Sequence, residues 1–412
     1  MDELKLDKPI IPRWILDVDL VRSTSSGYPR FIRKGDDIDA IRQDGRFHLH
    51  HLKLYDLDRC PLLPCTVATR GSLSEVDNPK TRLVWMYPGA MTACEAVFAQ
   101  PLIDSMYDQK RDFLLTGVDS KFRIQRFLSC LDDGDDTYGV GLDFSSFDTL
   151  RCNQLIYDSF AILKQNIKFG YYYDDATGVQ KGRSGVDVRA ERAFDNIMEY
   201  FVNTPLLLPN GRVIKKHHGV PSGSHFTNLI DSIINRILIK TFAKYSDRRI
   251  SGLMTNGDDS VFKVVRPYHA NIIEDASSFF DNFFGMTVKI EKSSVAGKPS
   301  EMHVSGTKWN NIRPYRSTDE WFALACYSDT YVSKPFDSFQ RLLGLGIAGG
   351  FSDTSYCLFF DYFQSGYDCH HGPDLLNWKK LRWLEKAFGI TDLPLIYKQC
   401  GKTRQRLRLL VT

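Results

Sequence analysis

Along residues 137–292 the apolar positions change period repeatedly. "DDTYGVGLDFSSFD" carries a short extended run, Tyr138 to Phe144, closed by a polar turn. "LLLPNGRVIKK" sets Asn210-Gly211 between two extended runs, which is hairpin-turn chemistry. Leu229, Ile230, Ile233, Ile234, Ile237 and Leu238 then recur at helical spacing. "SGLMTNGDDSVFKVV" returns to extended runs around a tight turn. Ile272, Ile273, Ala276, Phe279, Phe280, Phe283 and Phe284 line one side of a further helix, and Gly285 is a good stop for it. "MTVKIEK" reads as a strand. Strand, helices, hairpin, helix, strand is the order of a ferredoxin-like split βαβ sheet, so the fold class is α+β. Residues 1–130 mix short apolar runs with Pro and Gly and read as irregular α/β. The chain from about Asn310 reads as mostly helical, with Leu375, Trp378, Leu381, Trp383 and Leu384 forming an amphipathic stripe in "LLNWKKLRWLEKAF".

The 412 residues exceed one ordinary core and imply two or three subdomains. Apolar residues at 43% and charged residues at 25% are the balance of a soluble globular protein, and 27 Phe with 19 Tyr can fill a large core. No apolar run is long enough to span a bilayer, and the charged start "MDELKLDKPI" lacks a signal-peptide core. Nine scattered Cys fit free thiols in a reducing compartment. Cys60 with Cys65, and Cys369 with His370 and His371, match no common zinc spacing. Net charge is only +3, but "KKHH" at 215–218, "KKLR" at 379–382 and "KTRQRLR" at 402–408 concentrate the basic residues. Such runs are solvated faces or the lining of a polyanion channel, and composition does not choose between them.

The hairpin turn carries Asp258 and Asp259 side by side. Adjacent carboxylates repel unless positive charge sits beside them, and a hard divalent cation with oxygen ligands answers that need. "GLDFSSFD" supplies a neighbour: Asp143 ends an apolar strand and Asp148 follows past a turn. Asp143 and Asp258 on adjacent strand ends could hold two Mg²⁺ ions about 3.5–4 Å apart, an arrangement suited to in-line displacement at phosphorus. Asn-Gly-Asp-Asp alone is also an ordinary surface turn; the constellation is what shifts the balance. Its third piece is "GVPSGSHFTN", where Gly223 loosens the backbone before a helix and Ser222, Thr227 and Asn228 offer short polar groups. Ser222 or Ser224 could simply cap that helix. Alternatively Asn228 reaches Asp148, and the pair reads a ribose 2′-hydroxyl.

"GLDFSSFD", "GVPSGSHFTNLIDSIIN" and "TNGDDS", in this order, resemble motifs A, B and C of viral RNA-dependent RNA polymerases. "TSSGYP", Thr24 to Pro29, resembles motif G, so the resemblance implies template contacts at Thr24, Ser25, Gly27 and Pro29. "PKTRLVW", Pro79 to Trp85, resembles motif F, which implies that Lys80 and Arg82 meet the incoming triphosphate. "GMTVKIEKSS" resembles motif D, whose lysine, here Lys292, would donate a proton to the leaving pyrophosphate. "MHVSGTKWNNIR", 302–313, resembles the motif E primer-grip hairpin, with Ser305-Gly306 replacing the usual bulky apolar residue before the glycine. The wording of motif B is most similar to that of the partitivirus and picobirnavirus group of double-stranded RNA viruses.

The resemblance implies a right hand: fingers over 1–131, palm over 132–158 and 213–311, a fingers insertion over 159–212, and a helical thumb over 312–412. It implies templated nucleotidyl transfer with catalytic Asp143, Asp258, Asp259 and Lys292. The three aspartates would be metal ligands, and Asp148, Ser222, Thr227 and Asn228 would line the sugar. Mg²⁺, with Mn²⁺ as a substitute, would be the cofactor. RNA template, nascent RNA, nucleoside triphosphates and a viral capsid protein are the expected partners, in a virion interior or host-cell cytoplasm. Motif G begins at Thr24, so a compact or truncated relative is expected, with closed shape and initiation mode left open. A reverse transcriptase would share the palm carboxylates but usually carries Tyr-x-Asp-Asp, where this chain has Asn256-Gly257-Asp258-Asp259. A catalytically inactive RNA-binding relative would not require the full acidic set.

Overall fold

The structure, a computed structural model, describes residues 2–371 except 72–73, 75–76, 78–80, 109–118, 132–135, 183, 305–306, 311–312, 328–337, 339–340, 343–344, 347–348 and 350–352. In chain order the described elements begin with α1 (Ile38–Leu54), β1 (Cys65–Gly71), β2 (Thr81–Met86), α2 (Gly89–Asp108) and α3 (Asp119–Ser129). They continue with β3 (Thr137–Leu142), β4 (Phe144–Ser145), α4 (Asn153–Lys164), the hairpin β5 (Tyr171–Asp174) and β6 (Gly178–Lys181), and α5 (Val186–Val202). Next come β7 (Pro205–Leu207), β8 (Val213–Lys215), α6 (Thr227–Tyr245), β9 (Ile250–Asn256), β10 (Asp259–Val265) and α7 (Ile272–Phe284). The last are β11 (Thr287–Val288), β12 (Ser294–Ala296), β13 (His303–Val304), β14 (Thr307–Asn310), β15 (Arg313–Tyr315), α8 (Thr318–Cys326) and α9 (Thr354–His371).

Two sheets position the site. The central one has the order β12-β3-β10-β9, every pair antiparallel, as the split βαβ pattern requires. The other runs β2-β1-β7-β8, with β1 and β7 parallel. The Asn210-Gly211 signal does close a hairpin: Leu207 faces Val213, and Gly211 takes φ +81°. Helix α6 lies against the central sheet with Ile230, Ile233, Ile234, Leu238 and Ile239 wholly buried. Phe279 and Phe280 of α7 pack their rings on Phe242 of α6, at 5.5 and 5.8 Å between centroids. Gly285 ends α7 at φ +62°, and its N–H donates to Asp281 C=O.

Two expectations are corrected. The "MTVKIEK" strand stops at Val288, because Lys289 turns in to bond Asp143 and Ile290–Lys292 form a 3-10 turn. The region after Asn310 is not helical from its start: β15 completes a three-stranded β13-β14-β15 sheet before α8. The stripe at 375–384 lies outside the described residues, as do Ser305-Gly306 of the hairpin at 302–313.

Candidate active site

The chain turns from β9 to β10 through Gly257 and Asp258 alone. Gly257, at the first central position, takes φ +60°, a conformation that glycine adopts without steric cost. Asn256 faces Asp259 across the hairpin, so Asp258 stands at its tip. Helix α6 clamps this turn from below. Asn235 Nδ2 donates to Gly257 C=O at 3.0 Å and Asp258 C=O at 2.9 Å, and Gly257 N–H donates to Ser232 Oγ at 2.8 Å. Thr255 Oγ1 donates to Ser232 C=O at 3.0 Å. The turn's backbone polar groups are thus satisfied by the helix, which fixes the height of Asp258.

Asp143 follows the last residue of β3, and Leu142 pairs with Ser260, so Asp143 and Asp258 meet at adjacent strand ends. Desolvation by the surrounding protein, with Asp143's charge adding to it, pushes the Asp258 carboxyl above the usual range, while a hydrogen bond from its own backbone and then the charges of Lys289 and Arg82 oppose the shift. Lys289 Nζ donates to Asp143 Oδ1 at 2.6 Å. Two hard carboxylates repelling one another and attracting a cation fit a divalent ion. Among the described residues no group of three or more His, Cys, Asp or Glu is placed to hold a metal. Asp259 is the first residue of β10, and successive strand side chains leave on opposite faces.

The turn before α6 is wedged against β2 and α2. Trp85 N–H donates to Ser222 Oγ at 3.2 Å, and a Cβ at Gly223 would lie 2.2 Å from Trp85 C=O. Ser224 Oγ and His225 N–H donate to the buried Glu95 Oε2 at 2.7 and 2.9 Å. Burial pushes Glu95 up to about 7 despite those bonds. Thr227 Oγ1 is used internally, donating to Pro221 C=O at 2.6 Å and Ser224 C=O at 2.9 Å.

Asp148 is exposed, and its C=O accepts Val220 N–H at 2.8 Å. Among the described residues no hydrogen bond joins it to Asn228, whose Oδ1 instead faces Gly257, 3.1 Å from where a Cβ would stand. The group brought toward Asp148 is Asp231. This buried carboxyl is held well above the usual range by burial and by the charges of Asp258 and Asp148, and its Oδ1 has no hydrogen-bond partner among the described residues. Lys216, also buried, donates to Gly219 C=O, and burial lowers its amine to about 7. The sequence reading missed Asp231, Ser232 and Asn235. Their signal was a polar stripe, Asn228, Asp231/Ser232, Asn235, at helical spacing in an otherwise apolar helix.

Arg82 lies exposed on β2, paired in register with Arg70, and its charge reaches Asp258. Lys80 lies outside the described residues. The loop of Thr24, Ser25, Gly27 and Pro29 is tied to the end of β2. Gly27 takes φ +60°, with a Cβ placed 2.8 Å from Tyr87 C=O, and Gly89 N–H donates to Ser26 C=O at 2.7 Å. Ser25 Oγ accepts Gly27 N–H, and Thr24 Oγ1 accepts from Lys34 Nζ. Lys292 is half-buried on its 3-10 turn, with its C=O 3.3 Å from His303 Nδ1.

The chain is 30% identical over 207 residues to the RNA-directed RNA polymerase of Cryptosporidium parvum virus 1, covering 48% of this chain and 35% of that protein. It is 28% identical over 218 residues to the RNA-directed RNA polymerase of White clover cryptic virus 1, covering 50% of this chain and 35% of that one. The aligned parts therefore span about a third of those relatives. An insertion-loop deletion mutant of a human picobirnavirus RNA-dependent RNA polymerase superposes with a TM-score of 0.65 at 16% identity, over 95% of this chain and 76% of that one, which establishes the right-hand fold. The model of the viral RNA-dependent RNA polymerase family matches residues 14–348, and the chain belongs to that family.

Proposed function

We propose that the chain is an RNA-directed RNA polymerase of a double-stranded RNA virus, carrying out templated nucleotidyl transfer for replication and transcription. The 3′-hydroxyl of the growing RNA attacks the α-phosphate of a nucleoside triphosphate, the new phosphodiester forms, and pyrophosphate leaves. The observation that carries this reading is the meeting of Asp143 and Asp258 at adjacent strand ends, beneath the charge of Arg82.

Asp143 and Asp258 would hold the divalent ion, with Asp259 beside them; we assign magnesium, for which manganese substitutes. Bound there, the ion supplies positive charge to the attacking and leaving oxygens. Arg82, with Lys80, binds and orients the triphosphate. Asp148, Ser222 and Asn228, over the buried Asp231, border the sugar, where a 2′-hydroxyl meets acceptors. Lys292 holds the proton for the departing pyrophosphate. Thr24, Ser25, Gly27 and Pro29 steer the template, which is gripped at phosphate and ribose so that any sequence passes. The division into fingers, palm and thumb follows the boundaries given above. Template, nascent RNA and nucleotides are the ligands, a capsid protein is the proposed viral partner, and a virion interior or the host cytoplasm is the proposed place. No helix among the described residues is long and apolar enough to cross a membrane.

The test is incorporation of labelled ribonucleotides on a primed RNA template with Mg²⁺, with deoxyribonucleotides alongside. Template-dependent extension that Asp258→Ala removes supports the reading. Absence of extension by wild type on primed and unprimed RNA, with Mg²⁺ and with Mn²⁺, contradicts it for this chain.

A further inference from the structure

Lys289 does more than sit near Asp143. Strand β11 pairs with β4 so that Val288 faces Phe144, and the next step of that register places Lys289 opposite Asp143. Lys289 N–H donates to Asp143 C=O at 2.8 Å. Asp143 N–H donates to Ser293 Oγ at 3.2 Å, and Ser293 Oγ donates to Lys289 C=O at 2.9 Å. Lys289 Nζ then closes the figure, donating to Asp143 Oδ1 at 2.6 Å and Phe144 C=O at 2.8 Å. Both side chains are only 30% and 28% exposed. An exposed surface pair is held by neither register nor backbone; this one is held by both.

We propose that Lys289 is a built-in counter-ion of Asp143 that competes with the divalent cation for Oδ1 and so sets how much cation the site requires. The proposal rests on Asp143 and Asp258 being the cation site. The ammonium occupies lone pairs that a hard cation would use and cancels part of the charge that would attract it. It also relieves the repulsion between the two aspartates before any cation arrives. The cation must displace the amine from Oδ1, and the Phe144 carbonyl gives that amine somewhere to stay.

The experiment is an Mn²⁺ titration of the full chain without nucleotide, read by electron paramagnetic resonance and by thermal shift. Lys289→Gln keeps a donor for Phe144 C=O and removes the charge. It should bind Mn²⁺ on the order of tenfold more tightly than wild type and gain more melting temperature from saturating Mn²⁺. Lys289→Arg keeps the charge and should retain the wild-type affinity. Wild-type affinity in Lys289→Gln overturns the proposal, as does equal tightening in Lys289→Arg. Should Lys289→Gln not fold, Lys289→Met replaces it under the same criteria. Asp143→Asn added to Lys289→Gln should abolish the tight binding. If it does not, the cation lies elsewhere and the site assignment itself fails.

Discussion

Asp258 is the side chain whose loss should matter most to chemistry and least to folding. Its carboxyl is pushed up by its surroundings and by Asp143, so Asp258→Ala removes a repulsion. Extension should fall at least about 1,000-fold, as expected when charge stabilisation at the reacting phosphate is removed, with no loss of melting temperature. Asn228→Ala should weaken discrimination between ribo- and deoxyribonucleotides more than nucleotide affinity. Equal loss with both sugars would remove Asn228 from the sugar site. Glu95 gives a pH test. Its folded value of about 7 exceeds the ordinary one, so the fold is favoured while Glu95 is protonated and loses that advantage as pH rises from about 4.5 through 7. Glu95→Gln should match wild type near pH 5 and exceed it near pH 8 by roughly 3 kcal/mol at most, read as melting temperature. Asp143 and Asp258 were legible because charged residues at strand ends stand out from apolar runs. Glu95 was not, since one acidic residue in "TACEAVFA" gives no sign of the distant turn it braces. Lys289 was not legible either, because the register that sets it opposite Asp143 exists only after folding.

Helix α6 shows what periodicity reveals and what it hides. Its apolar repeat gave the helix, the glycine-aspartate turn gave the hairpin, and Gly285 gave the end of α7. The contact between helix and turn was hidden, because Ser232 and Asn235 read as minor polar interruptions until their partners are known. Asn235→Ala leaves two turn carbonyls without their donor and should cost about 1–3 kcal/mol of stability. It should lower kcat on the order of tenfold or more with a smaller change in KM, since Asp258 loses its height rather than its charge. Gly223→Ala drives a methyl into Trp85 C=O, so the turn before α6 must leave β2. Melting temperature and template-dependent extension should fall together, whereas retention of both would show that the two segments part easily.

On the proposed function, the near-neutral chain would hold its polyanion by local concentrations of charge, such as the exposed Arg82 and Lys215 with His217 and His218, rather than by its net +3. Template affinity should therefore fall steeply with salt, on the order of tenfold or more between 50 and 200 mM if several phosphates are contacted, in filter-binding or anisotropy titrations. The right-hand plan was legible as the order of motifs along the chain. The way β12 and β10 flank β3 was not, because sheet neighbours separated by long stretches of sequence leave no local trace. That strand order has a consequence during synthesis. Residue 142 finds its partner at 260, and 141 also pairs with 294. At about 5–20 residues per second, the strand leading to Asp143 waits on the order of ten seconds on the ribosome before its first sheet neighbour exists. On the proposed function, a nascent chain cannot copy RNA, its own message included, until the hairpin through Asp258 has been made and has paired with β3.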